Sequence, residues 1–194
     1  QKDSGEIIFD QQKVSFSSPK QAIEEGLALV PEDRKSQGLI LGMGGRHNMT
    51  LPHLSLYSNM GVPRVDKELQ VFEDYKTKLE IKTTGPEQLL SDLSGGNQQK
   101  LVLAKWLCAN PKLIILDEPT RGVDVGSKSA IHQYIATLAE QGLAVIVISS
   151  EMPEVIGVSH RILTMAEGRL VGEYTGKEMT EENLIAAVSG LTAA

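Results

Sequence analysis

Apolar residues form short continuous runs in this chain, separated by longer segments with helical spacing. The runs occupy residues 27–30, 113–116 and 145–148, and such runs are typical of parallel strands that are buried on both faces. Between the last two runs, one face of a predicted helix carries Ile131, Tyr134, Ile135 and Leu138. A strand, a helix and a strand in this order predict an α/β fold with a mostly parallel sheet and a right-handed crossover.

Both ends of the chain contain further short elements. Residues 6–9 are predicted to form a strand, and residues 18–26 a short helix with a serine cap, a proline in its first turn and a glycine stop. Residues 162–165 and 170–174 predict a hairpin that turns at Glu167-Gly168. Thr180 then opens a final helix.

The segment of residues 39–92 interrupts the alternation of strands and helices. It is rich in Gly, Asn, His, Met and Pro, and it ends in a stretch with helical spacing at Leu69, Phe72, Tyr75 and Leu79. We therefore predict a single domain over residues 1–194, in which a core of residues 1–38 and 93–194 carries a helical subdomain. No Lys-Ser or Lys-Thr follows the glycines of residues 42–45, so we expect a flexible turn there rather than a phosphate loop.

Residues 93–96 carry the first candidate chemistry. Ser94 is a good helix N-cap, and Gly95 and Gly96 allow the backbone to come close to a ligand. The free amides and the positive dipole end of the following helix would then face an anion, for which a phosphate is the natural choice. A simple turn is the alternative interpretation.

Two adjacent carboxylates, Asp117 and Glu118, follow the apolar run of residues 113–116. Ligands of open α/β sheets bind at the carboxyl ends of the strands. Asp117 could hold Mg²⁺ directly or through water, while Glu118 could polarise a water that attacks a phosphoryl group. An acidic pair that caps a loop is the alternative, but the order of the two motifs around one helix favours nucleotide chemistry.

Bulk properties narrow the class of protein. The 194 residues include 19 Lys and Arg against 25 Asp and Glu, a net charge of -6 that argues against a nucleic-acid surface. No apolar run has the length of a membrane span, so we expect a soluble, cytosolic protein. The single cysteine, Cys108, is expected to be a small buried side chain, and the four histidines match no zinc pattern and are expected at the surface or at caps.

The stretch of residues 93–124 resembles the core motifs of an ATP-binding cassette (ABC) ATPase. These motifs are the signature LSGGNQQK, the Walker B segment LIILDE and the D-loop GVD. The combination of LSGGNQQK with DEPTRGVDVG is similar to the second nucleotide-binding domain of the tandem ATPase subunits that drive import of ribose, galactose, arabinose, xylose and related monosaccharides. The resemblance covers essentially the whole chain and implies a P-loop NTPase-like (RecA-like) core, a small helical subdomain and a C-terminal β-hairpin and helix.

This resemblance also implies ligands, partners and residue roles. The implied ligands are ATP and Mg²⁺, with Asp117 at the metal and Glu118 as the catalytic carboxylate. The residues implied to bind nucleotide are Ser94, Gly95, Gly96, Asn97, Gln98 and Asp124. The implied partners are transmembrane permease subunits, a second ABC domain and, indirectly, an extracellular or periplasmic sugar-binding protein, with no nucleic acid, at the cytoplasmic face of the membrane. The permease is expected to dock on the helical subdomain and the loop after Glu32.

Two positions depart from the general ABC pattern. Glu32 replaces the glutamine that normally senses the metal and the γ-phosphate; a carboxylate could contact Mg²⁺ through water but would repel phosphate, and a solvated loop acid is an equal alternative. Ser150 replaces the histidine that contacts the γ-phosphate. Because a serine hydroxyl cannot supply the charge of an imidazolium, we expect weakened hydrolysis at this site.

The pattern GxxxxGK followed by Ser or Thr does not occur in the 194 residues. The nearest match, residues 122–129, has its glycines too close together and a serine before Lys128. In the resembling family the phosphate loop lies just upstream of Gly5, so we expect the chain to begin after the phosphate-loop strand and helix. We then expect unpaired strand edges, poor ATP binding and an inactive chain when it is alone.

Three functional hypotheses remain from the sequence. The first is an energy-coupling ATPase domain whose signature completes the ATP site of a partner domain that pairs with it head to tail. The second is a non-hydrolytic module of the same transporter that clamps on ATP and docks, which Glu32 and Ser150 favour. The third, a soluble ABC protein of DNA repair or translation, is disfavoured because the chain is acidic and the segment before Leu93 has no room for a coiled-coil arm.

Overall fold

The computed structural model describes residues 3–190. Its strands are β1 (Ile7–Phe9), β2 (Gln12–Val14), β3 (Leu27–Val30), β4 (Ser58–Asn59), β5 (Val62–Pro63), β6 (Leu113–Asp117), β7 (Ala144–Ile148), β8 (Arg161–Ala166) and β9 (Arg169–Thr175). Its α-helices are α1 (Pro19–Glu24), α2 (Gly45–Thr50), α3 (Val65–Lys78), α4 (Gly95–Leu107), α5 (Val125–Glu140), α6 (Met152–Val158) and α7 (Glu181–Val188). A π-helical turn, Arg34–Gly38, follows β3.

A three-stranded parallel sheet in the order β3-β6-β7 forms the centre of the fold. The other strands form the antiparallel pairs β1–β2, β4–β5 and β8–β9. Helix α5 connects the neighbouring parallel strands β6 and β7, as the periodicity predicts. The predicted α/β fold class is therefore confirmed.

Only one face of the parallel sheet is covered by the residues that the structure describes. Ala28 and Val30 of β3 are buried with Ile114 and Leu116 of β6, on the side where α4 packs against β3 and α5 against β7. The register places Leu29, Ile115 and Ile146 side by side, and Leu29 and Ile146 are 49% and 47% exposed. The prediction of strands buried on both faces is wrong for this part of the chain, because alternate side chains of a strand point to opposite faces and only one face has a helical layer.

Helix α4 is buried on almost every side. Ten of its 13 residues are buried, so α4 lacks the solvated face of an ordinary surface helix. It contacts β3 on one side and α2 on another. Lys105, on this helix, donates from Nζ to the Gly38 carbonyl at 2.7 Å, and burial lowers the pKa of its ammonium group.

Helices α2 and α3 pack against each other around a buried ion pair. Arg46 Nη1 lies 2.6 Å from Glu68 Oε2, and Thr50 Oγ1 donates to Glu68 Oε1 at 2.6 Å. Gly45, the first residue of α2, is packed so tightly that a Cβ atom there would lie 2.6 Å from Phe72 Cε2. The glycines of residues 42–45 are therefore not all in a flexible turn, because the last of them begins a packed helix.

The predicted C-terminal elements are confirmed. Strands β8 and β9 are joined at Glu167 and Gly168, whose φ values of 49° and 75° suit the tight turn of a hairpin. Helix α7 is capped by Thr180, whose Oγ1 accepts from the Asn183 amide at 3.3 Å. Among residues 3–190, none of the helices has both the length and the apolar character that crossing a bilayer requires.

Two histidines differ from the sequence expectation. His53 is 5% exposed and packs edge-to-face against Trp106, and burial lowers its pKa. His132 is half-buried and contacts a buried glutamate described below. Cys108 is half-buried, and burial raises the pKa of its thiol to about 11, which fits the small unreactive side chain that the sequence predicts.

We expect Glu68→Ala to lower the free energy of unfolding by about 2 kcal/mol, because Arg46 and Thr50 each lose a buried hydrogen-bond partner, while Glu87 still pairs with Arg46. Glu73→Ala, on the same helix, is the matched control, since Glu73 pairs with Lys76 at the surface, and it should cost less than about 1 kcal/mol. Urea denaturation measures both variants. Equal losses would contradict a stabilising role for the buried pair.

Candidate functional site

The N-terminus of α4 is capped as the sequence predicts. Ser94 Oγ accepts from the Asn97 amide at 3.5 Å and from Asn97 Nδ2 at 2.9 Å. Asn97 Oδ1 in turn accepts from the Lys82 amide at 2.8 Å. Asn97 therefore ties the start of α4 to the segment that follows α3.

Gly96 allows the start of α4 to contact the start of α5. A Cβ atom on Gly96 would lie 2.7 Å from Ser127 Cβ and 3.2 Å from Asp124 Oδ2. Asp124 caps α5 by accepting from the amide and the hydroxyl of Ser127 at 2.9 and 2.8 Å, and these hydrogen bonds lower the pKa of its carboxyl. The structure thus brings two candidate motifs, residues 94–98 and Asp124, into contact.

Arg34, which the sequence analysis did not single out, joins three segments of the site. Its guanidinium donates to the Arg121 carbonyl at 2.9 Å, to the Gly122 carbonyl at 3.2 Å and to Gln98 Oε1 at 3.4 Å. A Cβ atom on Gly95 would lie 2.8 Å from Arg34 Nη2. The only sequence signal was a basic residue in the loop after a parallel strand.

Glu32 forms an ion pair with Arg121. Both side chains are partly exposed, so solvent screens the pair. The pairing places Glu32 against the loop that follows Glu118. The sequence analysis left Glu32 as either a metal contact or a solvated acid, and the structure places the Arg121 cation beside it.

The two candidate catalytic residues lie next to each other. Asp117 is the last residue of β6, and Glu118 follows it with a φ of 46°. The Glu118 amide donates to the Ile148 carbonyl at 2.8 Å, and Glu118 Oε1 accepts from the Ser150 amide at 2.8 Å. Glu118 therefore contacts Ser150 through the backbone amide of that residue.

Glu154, a second residue that sequence reasoning missed, contacts two residues near this pair in the sequence, Thr120 and Ser149. Its side chain is 3% exposed and accepts from Thr120 Oγ1 at 2.8 Å and from Ser149 Oγ, while His132 Nε2 lies 2.6 Å from Oε1. Burial alone would raise the pKa of the Glu154 carboxyl, but the hydrogen bonds from Ser149, His132 and Thr120 outweigh it and hold the pKa below its usual range. Its sequence signal was weak, since it is one glutamate in the first turn of a short helix.

The donor chemistry of the site fits Mg²⁺ only together with a phosphate ligand. Among residues 3–190, His, Cys, Asp and Glu side chains nowhere form a group of three or more that could hold a metal. Asp117 is the last residue of β6, at the carboxyl end of the sheet, and Mg²⁺ commonly takes one or two carboxylates and completes its shell with substrate phosphates and water. The residues present fit that mode of binding.

A cleft of about 740 Å³ lies elsewhere, between α3, α4 and α5. Tyr75, Lys100 and Tyr134 are among its lining residues. None of the candidate residues of the nucleotide site lines it, so the cleft and the candidate chemistry are separate features.

Sequence comparisons identify the class of protein. The profile of the ABC transporter family matches residues 1–121. The chain is 45% identical over 188 residues to a ribose import ATP-binding protein of Rhizobium meliloti (strain 1021), covering 97% of this chain and 37% of that protein. It is 47% identical over 189 residues to a putative ribose/galactose/methyl galactoside import ATP-binding protein of Pseudomonas fluorescens, with coverage of 97% and 37%.

Solved ABC cassettes share the fold. The ATP-binding cassette MJ1267 superposes with a TM-score of 0.79 at 20% identity, covering 99% of this chain and 78% of that one. The dimeric cassette MJ0796 bound to ADP and Pi superposes with a TM-score of 0.74 at 21% identity, covering 89% and 74%.

The fold is that of an ATP-binding cassette. The chain belongs to the ABC transporter family, and the predicted resemblance to the ATPase subunits of sugar importers is confirmed. The chain spans little more than a third of the length of these relatives.

We expect Gly96→Ala to lower the free energy of unfolding by about 1–3 kcal/mol, because the new methyl group overlaps Ser127 and outweighs the gain in helix propensity. Gly85→Ala is the control, since no atom lies within 4 Å of its Cβ position, and it should be neutral within about 0.5 kcal/mol. Urea unfolding midpoints compare the two. An unchanged or raised midpoint for Gly96→Ala would contradict the close contact.

Proposed function

We propose that this chain is an ATP-binding domain that energises the import of a sugar through an ABC transporter. The observation that carries the proposal is the contact between the start of α4, at residues 94–98, and the D-loop residue Asp124, in a chain 45–47% identical to the import ATP-binding proteins compared above. In this role the chain supplies its signature motif to the ATP site of a second ABC domain.

The signature would act on a nucleotide held mainly by that second domain. The Ser94 hydroxyl and the free amides of Gly95 and Gly96 would donate to the γ-phosphate, assisted by the dipole of the 13-residue helix α4. Asn97 and Gln98 would keep the motif in place, since both use their side chains in hydrogen bonds to neighbouring segments.

The chain's own carboxylates would serve a second, weaker site. Asp117 would hold Mg²⁺, which neutralises phosphate charge when it is bound, and Glu118 would accept a hydrogen bond from an attacking water. Ser150 could donate only a neutral hydrogen bond to phosphate. Because the 194 residues contain no phosphate loop with its lysine, we expect the chain alone to release little phosphate.

Proposed partners follow from the surface. Residues 39–92, the proposed helical subdomain of the single cassette domain, expose Leu54, Leu56, Met60 and Val62, and this apolar surface would receive a transmembrane permease subunit. A sugar-binding protein would act indirectly through the permease, at a cassette on the cytoplasmic face of the membrane. The net charge of -6 supports the absence of a nucleic-acid partner.

A second candidate function is a module that clamps on ATP and docks without hydrolysing it. Two observations favour it for this domain's own site: Ser150 lacks an imidazole, and the carboxylate of Glu32 is engaged by Arg121. A complete subunit could use this domain as a clamp and the partner site for hydrolysis. A soluble ABC protein outside transport is disfavoured, because the compared relatives are import proteins.

Ser94→Arg in a complete two-domain subunit should abolish ATP-driven transport, because a bulky side chain would occupy the proposed position of the γ-phosphate. Sugar uptake by reconstituted transporter measures the effect. Ser91→Arg, three residues earlier and exposed, is the control and should retain uptake. Wild-type uptake by Ser94→Arg would remove the proposed role of the signature.

Glu118→Gln in the complete subunit should leave most of the ATPase activity. A carboxylate that polarises the attacking water typically raises the rate on the order of a hundredfold or more. At this site, however, Ser150 is uncharged and cannot fix the γ-phosphate as an imidazolium would, so Glu118 should contribute little. The matching glutamate change in the partner domain should abolish turnover. Steady-state phosphate release compares the two variants, and equal losses in both would show that this site hydrolyses ATP.

A further inference from the structure

The position of Glu118 depends on two loops that meet at this residue. A φ of 46° places Glu118 in the left-handed region, which costs free energy for a residue with a Cβ atom and persists only when surrounding contacts hold it. Those contacts come from the end of β7 and the loop after it: the Ile148 carbonyl accepts from the Glu118 amide, and the Ser150 amide donates to the Glu118 carboxylate, both at 2.8 Å. The loop after β6 and the loop after β7 must therefore keep a fixed separation.

One buried carboxylate holds both of these loops. Glu154, in the first turn of α6, accepts from Thr120 of the first loop through Oε1 at 2.8 Å and from Ser149 of the second loop through Oε2. His132 of α5 provides a third contact, 2.6 Å from Oε1. Both oxygens of a side chain that is 3% exposed are therefore engaged, and such charge-assisted hydrogen bonds are shorter and stronger than neutral ones.

These two contacts lie very close to the candidate catalytic residues along the chain. Ser149 immediately precedes Ser150, and Thr120 is separated from Glu118 only by Pro119, whose ring fixes its own φ. A displacement of Thr120 or Ser149 therefore reaches Glu118 or the Ser150 amide with little backbone freedom to absorb it.

A neighbouring ion pair provides a control that separates the effect of Glu154 on Glu118 from general stabilisation of the loop after β7. Lys128 Nζ of α5 lies 2.6 Å from both carboxylate oxygens of Glu151, so the loop after β7 has a second charged contact with α5. The Glu151 side chain is about half exposed. Its contact reaches the same loop, but it does not connect this loop to Thr120.

We propose that Glu154 is a positioning residue for Glu118: by holding Thr120 and Ser149 on one carboxylate, it fixes the two loops whose contact orients the Glu118 side chain. The proposal rests on the proposed function of Glu118 as the group that polarises water. The positioning itself does not require turnover at this site, and it is tested independently of turnover.

The test uses the Ser150 amide proton as a probe in the ¹⁵N-labelled chain. Because this amide donates to the Glu118 carboxylate, its resonance at neutral pH should differ between the wild type and Glu118→Gln, and that difference reports the hydrogen bond. Glu154→Gln should move the Ser150 amide resonance by more than about half of this difference. Glu151→Gln, which removes one charge from the same loop, should leave the resonance close to its wild-type position.

Two further variants keep the test decisive if Glu154→Gln does not fold. Thr120→Val and Ser149→Ala each remove one of the two contacts, and Ser149→Ala also removes the hydrogen bond that the Glu151 amide donates to Ser149 Oγ. Each variant should move the Ser150 amide resonance away from its wild-type position. A folded Glu154→Gln protein, or folded forms of both contact variants, with the Ser150 amide resonance at its wild-type position would overturn the proposal.

Turnover of the complete subunit separates this proposal from the proposed function. If Glu118→Gln lowers kcat at all, Glu154→Gln should lower it with an unchanged KM for ATP, and the double variant should be no slower than Glu118→Gln alone, since both changes act through one group. A further multiplicative loss in the double variant would overturn the positioning role. If Glu118→Gln leaves kcat unchanged, hydrolysis at this site is excluded, and the amide shift decides the role of Glu154.

Discussion

The structure depends on the burial of helix α4. Its 13 residues lie between the parallel sheet and helix α2, so that one helix connects the sheet to the segment of residues 39–92. Because the body of α4 is buried, only its first turn can present free backbone amides to a ligand. The Ser94 cap and the two glycines provide that end, and the same glycines allow Arg34 and Ser127 to approach the backbone closely. Packing and site geometry therefore have a common origin.

Charged side chains hold the loop between Glu118 and Asp124 from two sides. Arg34 donates to the carbonyls of residues 121 and 122, while Glu154 accepts from Thr120. The guanidinium of Arg34 can only donate hydrogen bonds and takes two backbone carbonyls of the loop, while the carboxylate of Glu154 accepts from the side-chain hydroxyl of Thr120. The loop between Glu118 and Asp124 is thus fixed by groups from distant parts of the chain.

Sequence reasoning predicted correctly the features that depend on neighbouring residues, and it missed those that depend on residues distant in the sequence. The caps at Ser94 and Thr180 and the turn at Gly168 depend on a few neighbouring residues, and the structure confirms all three. The burial of β7 was predicted wrongly, because a run of apolar residues does not say whether helices cover one face of a sheet or both. Arg34 and Glu154 escaped prediction because most of their partners are distant in the sequence: the contacts of Arg34 span 64 to 88 positions, and Glu154 reaches Thr120 across 34 positions and His132 across 22. A lone charged residue gives no sequence pattern from which such partners could be predicted.

The state of Cys108 has a practical consequence for spectroscopy. It is the only cysteine in the 194 residues, and burial raises the pKa of its thiol to about 11, so the reactive thiolate is scarce at pH 7. Thiol reagents react with the thiolate, so a maleimide or spin label should leave the native residue largely unmodified. A cysteine introduced on the exposed surface would then carry the label selectively, without first replacing a side chain that packs against the core. Distances between two such labels could follow movement of residues 39–92 relative to the sheet in an otherwise unaltered chain.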